Sequence, residues 1–180
     1  MGFFDRFSHG ARTGAGERSH AIAVAEPGPG PVLSPVDGVA VPLSEAPDPV
    51  FAQGMLGPGM AVRPSAGVVY APVAGTVTAA VETGHAVGIT SKNGMEVLIH
   101  VGVDTVEMRG DGFSVLVEKD EDVRAGAPLI TFDREKIRAA GHDDIVMVSV
   151  TNASGDAVPE APAGKEVHAG ESLFRLGGTA

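Results

Sequence analysis

Three side chains able to handle a charged group stand close together in the chain: Thr83, His85 and His100. Imidazole is the one side chain that is a neutral nitrogen nucleophile near pH 7, with an unperturbed pKa of about 6.5. Phosphorylated on nitrogen, it holds a high-energy N–P bond, so the group can be passed on reversibly. A second imidazole can donate a hydrogen bond to the phosphoryl oxygens as charge develops, and a threonine hydroxyl can do the same or hold that second ring. His100, His85 and Thr83 fit this division of labour, and close apolar strands would limit the water that hydrolyses such an intermediate. Plainer readings fit the same residues. Two histidines on a strand face are commonly half-buried polar residues and nothing more. They could also form part of a zinc site, but catalytic zinc takes three protein ligands, and a third could come only from Asp104 or a partner's carboxylate. His9, His20, His142 and His168 have no partnering pattern and read as exposed or structural.

A strand must carry the second histidine. In Met95 to Asp104, alternation puts Met95, Val97, Ile99, Val101 and Val103 on a core face and Glu96, Leu98, His100, Gly102 and Asp104 on the other. A second apolar-rich run, Thr83 to Ile89, precedes it, and Asn93-Gly94 between them is a strong hairpin signal. As a type I′ turn it pairs Lys92 with Met95, so that His85 faces Gly102 and Val87 faces His100. The histidines are then diagonal neighbours with β-carbons at most about 7–8 Å apart. A four-residue loop pairing Thr90 with Met95 would instead set them directly opposite. A slip by an odd number of residues would exchange core and solvent residues along the strand.

The 180 residues suit one domain with a sizeable core, or that domain plus tails. Hydrophobic content of 43% with only 4% aromatics and no Trp means a core of Val, Ala, Ile and Leu, which favours strands. Twenty-five Gly and 13 Pro, spread along the chain, argue for many short strands and turns. Without Cys there is no disulfide framework, thiolate zinc site or cysteine nucleophile, and a reducing cytoplasm fits best. A formal net charge of -10, with 13 Lys and Arg, argues against nucleic acid as a partner. No run approaches the roughly 20 apolar residues of a membrane span, and no secretory segment opens the chain.

Residues 1–30 read as a flexible tail ending in a Pro/Gly linker, and 31–180 as the domain. In the tail Phe3, Phe4 and Phe7 share one helical face, so a membrane-surface foot and an unstructured tail are both open. Internal echoes follow: Ser34-Pro-Val-Asp-Gly and Ala71-Pro-Val-Ala-Gly, then Asp122-Val-Arg-Ala-Gly and Glu166-Val-His-Ala-Gly. Each reads as strand, tight turn, strand, and the doubling suggests a sandwich or barrel of two similar halves. Asp48-Pro-Val-Phe51 could begin a helical turn over the sheet, and Asp133 to Ala140 is the plausible helix of the second half.

Taken in order, Ser34-Pro-Val-Asp-Gly, Pro47-Asp-Pro-Val-Phe51, Ala71-Pro-Val-Ala-Gly-Thr-Val, Glu82-Thr-Gly-His85-Ala, the Asn93-Gly hairpin, Leu98-Ile-His100-Val-Gly-Val-Asp104-Thr-Val-Glu107 and Gly110-Asp-Gly-Phe113 resemble the glucose-type enzyme IIA family of the bacterial sugar phosphotransferase system. The resemblance covers about Pro31 to Leu176. It implies an all-β sandwich of the duplicated hybrid type, with phosphorylation on His100, support from His85, and Thr83 in the same site. It also implies that phosphate arrives from the phosphocarrier HPr and leaves to a cysteine of a sugar-specific enzyme IIB/IIC, and that regulatory targets can read the phosphorylation state. No cofactor is required, and zinc at the histidine pair is an extra. A shallow apolar surface ringed by acids is expected to receive partners, at Val50, Phe51, Val81, Leu98, Val101 and Val106, with Asp48 and Asp104 on the rim. Aliphatics at Val81, Leu98 and Val101 stand where some members have Phe. The Met-Gly-Phe-Phe-Asp start is similar to an amphipathic segment some members use at membranes, so the expected location is the cytoplasm, with peripheral contact to the membrane's inner face as one option.

Other classes fit less well. A biotinyl or lipoyl carrier would need Met or Asp beside Lys92, and a zinc peptidase would need a His-x-His pair, which the chain lacks. A regulatory module that uses the same surface without passing phosphate on would differ only in failing to transfer it.

Overall fold

The computed structural model describes residues 20–24 and 30–177. In chain order its strands are β1 (Pro31–Leu33), β2 (Gly38–Pro42), β3 (Gly59–Pro64), β4 (Val68–Tyr70), β5 (Gly75–Ala80), β6 (Ala86–Ser91) and β7 (Glu96–Val101), then β8 (Phe113–Val115), β9 (Asp122–Val123), β10 (Pro128–Phe132), β11 (Val146–Val150), β12 (Ala157–Pro159), β13 (Glu166–Val167) and β14 (Ser172–Leu176). Two short helices, α1 (Pro49–Ala52) and α2 (Arg134–Ala139), and two 3-10 turns, Leu43–Glu45 and Thr105–Met108, complete the described elements. The phenylalanine face near the start of the chain lies outside the described residues.

An eight-stranded sheet in the order β13-β2-β3-β11-β7-β6-β5-β9 packs against two three-stranded sheets, β1-β14-β12 and β4-β10-β8. All ladders are antiparallel. The doubling heard in the sequence is a doubling of topology. One half is β1, β2, β3, β11, β12, β13 and β14; the other, β4 to β10, is inserted within it and repeats every pairing. Thus β13 on β2 matches β9 on β5, β2 on β3 matches β5 on β6, and β1 on β14 matches β4 on β10. The halves join where β7 pairs with β11.

Alternation makes two cores. On the inner face Val97, Ile99 and Val101 of β7 meet Val87 and Ile89 of β6, Val146, Val148 and Val150 of β11, and Leu129, Ile130, Leu173 and Phe174 from the smaller sheets. On the outer face a smaller cluster of Val41, Leu43, Ala46, Phe51, Ala61, Ile145 and Met147 sits under the first 3-10 turn and α1. Strand β11 is buried along its whole length because both faces are covered. Both helices start where the sequence expects. Asp48 caps α1, its Oδ1 accepting from Val50 N–H at 2.8 Å, and Asp133 caps α2, accepting from Glu135 and Lys136 N–H, both at 3.0 Å.

The hairpin between β6 and β7 departs from both expected registers. Ala86 pairs with His100, Val87 with Ile99 and Thr90 with Glu96, one residue away from either expected alignment. The loop is three residues, Lys92, Asn93 and Gly94, with Gly94 alone at positive φ, 86°. Ser91 closes it: its N–H reaches Met95 O at 2.8 Å, its Oγ accepts from Met95 N–H at 3.0 Å and bonds the Asn93 side chain. The serine hydroxyl stabilises a loop that Asn-Gly alone would have closed as a two-residue turn. The slip puts Val87 and Ile89 in the inner core, not on the His100 face.

His20 to Val24, ahead of the expected boundary at Pro31, lie against the echoed Ala-Gly turns. Ile22 N–H donates to Gly126 O at 3.0 Å, and a β-carbon at Gly170 would come within 2.6 Å of Val24 Cγ1.

Substituting Gly94→Ala isolates the conformational demand of the hairpin, since nothing lies within 4 Å of the added β-carbon. The left-handed geometry should cost about 1–2 kcal/mol, read as a lower urea midpoint with unchanged slope.

Candidate functional site

His100 stands mid-sheet on the outer face. Directly opposed residues form a row across five strands: Val41, Ala61, Met147, His100 and Ala86. The ring rests beside Phe51 of α1, centroids 5.5 Å apart and tilted by 55°. Its Nδ1 lies 2.9 Å from Gly102 O. A carbonyl oxygen only accepts, so Nδ1 carries the proton and the lone pair of the neutral ring sits on Nε2.

His85 comes to the same face by a route the hairpin pattern did not foresee. It precedes β6, in a bend, and so escapes the alternation that would have sent it inward with Val87. Gly84, at φ 71°, makes the bend, with its N–H on Val81 O at 2.8 Å; a β-carbon there would fall 2.8 Å from Phe113 Cβ. The backbone still grips β7, Val101 N–H donating to His85 O at 2.7 Å. The two imidazoles meet edge to face with centroids 5.1 Å apart. Thr83 Oγ1 lies 2.7 Å from His85 Nδ1. With that hydroxyl donating, the His85 proton sits on Nε2 and is free to be given to an anion.

Burial pushes the His85 pKa below 6.5. Burial also dominates at His100, reinforced by His85 and opposed by the Gly102 carbonyl and by the charges of Asp48 and Asp104, with a net downward shift. Both rings are therefore neutral at pH 7, which keeps one nucleophilic nitrogen available. Among the described residues no three His, Cys, Asp or Glu side chains are grouped to hold one metal ion. The pair offers two ligands at most.

The side chains expected to form the surface around the histidines differ in exposure. Val50, Val81 and Val106 are exposed at 40%, 38% and 53%, and Val81 extends the row across the sheet, its N–H on Ala86 O at 3.3 Å. Asp48 is half-buried at the α1 cap and Asp104 is exposed at the start of the second 3-10 turn. Three expected contact residues differ. Val101 is 0% exposed, because alternation from His100 points it into the inner core, and Phe51 is 3% exposed, a ring supporting His100. Leu98 is half-buried and packs on the outer cluster. Sequence reading missed Met55, 70% exposed in the turn whose N–H returns to Val50 O, and it missed the acceptor role of Gly102. A glycine two residues past a strand histidine, at φ 77°, was the available signal for the latter.

Residues 31–155 match the model of a family described as phosphoenolpyruvate-dependent sugar phosphotransferase system, EIIA 1. The chain is 50% identical over 123 residues to the glucose-specific EIIBCA component of Corynebacterium glutamicum, a match covering 68% of this chain and 18% of that protein, so it spans about a fifth of such fused relatives. It is 41% identical over 141 residues to the glucose-specific EIIA component of Halalkalibacterium halodurans, covering 78% of this chain and 82% of that one. Among solved structures it resembles glucose permease IIA from Mycoplasma capricolum, with a TM-score of 0.74 at 36% identity over 82% of this chain and 95% of that one.

Histidine NMR titration checks the electrostatics: both rings should protonate below pH 6.5. Because the folded pKa values are lowered, the unfolded chain takes up protons first as pH falls. Their stabilising contribution is then complete above about 6.5 and is lost on acidification toward the folded values, so the thermal midpoint should drop over that window and the drop should shrink in His85→Gln.

Proposed function

The chain belongs to the phosphoenolpyruvate-dependent sugar phosphotransferase system EIIA 1 family, and from that premise we propose that it is a phosphocarrier whose working nitrogen is His100 Nε2. A phosphoryl group arrives from phospho-HPr: the N–P bond to His100 forms as that of the donor breaks. It leaves to the thiolate of a sugar-specific enzyme IIB cysteine, an S–P bond forming as the N–P bond breaks. The observation that carries the reading is the fixed tautomer, His100 Nδ1–H on Gly102 O, beside a second imidazole 5.1 Å away. The first fact aims a lone pair outward; the second supplies a proton donor for the phosphoryl oxygens. Thr83 holds that donor in place.

The exposed Val50, Val81 and Val106 with the carboxylates of Asp48 and Asp104 form the face that partners cover, and enzyme IIB joined to IIC in the fused EIIBCA relatives fits that order of transfer. Residues 31–180 are the working domain and 1–30 the tail, of which His20 to Val24 are seated on it. Peripheral membrane contact through the tail and recognition by regulatory targets are further readings on the same footing. No helix among the described residues is long and apolar enough to cross a membrane, and a cytoplasmic site of action follows from the proposed partners. Zinc would meet only the two Nε2 atoms and would need carboxylates from a partner to complete four-coordination, so it is an occasional ligand and no part of the transfer.

Incubation with phosphoenolpyruvate, enzyme I and HPr, followed by mass measurement, should show one added phosphoryl group, and none in His100→Ala. A label retained by that variant would move the site elsewhere. His85→Gln should still be labelled yet pass phosphate to enzyme IIB about 10²-fold more slowly, since the lost donor acts where charge develops on the departing group; an unchanged onward rate would make His85 a bystander.

A further inference from the structure

Thr105 is fully buried, and its hydroxyl donates to Val101 O at 2.5 Å. That carbonyl sits where the β6–β7 ladder should close. In the observed register His85 falls opposite Val101, and in an antiparallel sheet such a pair exchanges two bonds. One is made: Val101 N–H donates to His85 O at 2.7 Å. The place of the reciprocal donor, His85 N–H, is taken by the Thr105 hydroxyl. Were the second bond made, β6 would start one residue earlier and alternation would turn the His85 side chain inward with Val87. The same side chain supports the other histidine. A β-carbon on Gly102 would come 2.3 Å from Thr105 Cγ2, so the methyl lies directly against the residue whose carbonyl holds His100 Nδ1. Gly102 N–H on Ile145 O and Val103 N–H on Asp143 O fix the turn from the far side.

We propose that Thr105 is a positioning residue for phosphoryl transfer: its hydroxyl ends the β6–β7 ladder one pair early, which lets His85 swing onto the His100 face, while its methyl holds the Gly102 carbonyl that orients His100. Its hydroxyl bonds the Val101 carbonyl rather than either imidazole. This deepens the phosphocarrier reading and rests on it for the kinetic consequence, while the structural claim stands alone.

The two halves of the side chain separate by substitution. Thr105→Val keeps the methyl contact and removes the donor, leaving Val101 O to be satisfied by His85 N–H. Labelling of His100 by phospho-HPr should persist, and onward transfer to enzyme IIB should fall at least tenfold, as in His85→Gln. Thr105→Ser keeps the donor and loses the methyl, so His85 should stay on the His100 face while labelling of His100 by phospho-HPr slows at least about threefold. Amide exchange reads the geometry without any transfer. His85 N–H should exchange faster than Val87 N–H in the unaltered chain and in Thr105→Ser, and become protected in Thr105→Val. Equal protection of His85 and Val87 in the unaltered chain overturns the proposal, even if Thr105→Val does not fold. So does Thr105→Val with unchanged onward transfer and unprotected His85. If the unaltered chain takes no phosphate from phospho-HPr, the phosphocarrier reading fails, and His85 exchange still decides the placement.

Discussion

The antiparallel ladder joining β6 to β7 stops at each end on a hydroxyl. At the hairpin Ser91 Oγ takes Met95 N–H; at the other end Thr105 Oγ1 donates to Val101 O. Backbone groups at the end of a buried ladder must be satisfied somehow, and side-chain hydroxyls satisfy them without prolonging the strand. Everything at the site depends on where that ladder stops. One more pair would place His85 among the inner valines, and one fewer would release His85 O from Val101 N–H and with it the bend that brings the rings to 5.1 Å. The geometry of two imidazoles is thus set by the length of a strand pairing.

Duplication built the platform and left the halves unequal. Strands β7 and β11 are the matching strands of the two halves, and they pair antiparallel, so the opposed pair Ile99 and Val148 are equivalents and, counting along the chain from them, His100 answers to Ser149. The connection between β2 and β3, which carries α1 and Phe51, answers to the connection between β5 and β6, which carries Thr83 and His85. One connection supplies the apolar wall behind His100 and the other its polar neighbour. A symmetric sheet therefore supports an asymmetric site, because each copy of the same connection brings a different side chain to the one histidine. Ser149, fully buried, fills the equivalent position.

Most of the architecture was legible because it follows from short-range rules. Alternation placed Val97, Ile99 and Val101 against Leu98 and His100, aspartates marked both helix starts, and the paired echoes foretold two equivalent halves. The hairpin register was not legible. Asn-Gly favours a two-residue turn, and nothing local says that Ser91 will recruit its own hydroxyl to close a three-residue one. The pairing of the histidines was reached by the wrong path, since His85 lies before the strand and not in it; Gly84, read only as part of a run, was the sign of the bend. Burial of Phe51 and Val101 shows the limit of carrying a surface over by motif: a side chain can be needed at a site and still point away from solvent.

Because His100 presents a single nitrogen on a single face, a donor and an acceptor that both require that face exclude one another in time. In the relay proposed here each must leave before the next arrives, so throughput is governed by residence time and tight complexes would slow it. The exposed contacts suit short stays. Val50, Val81 and Val106 are small aliphatics, whereas the residues that dominate long-lived interfaces are Trp, Tyr and Arg. Larger side chains at those positions would raise affinity and, past a point, make the carrier linger on one partner at the expense of the other.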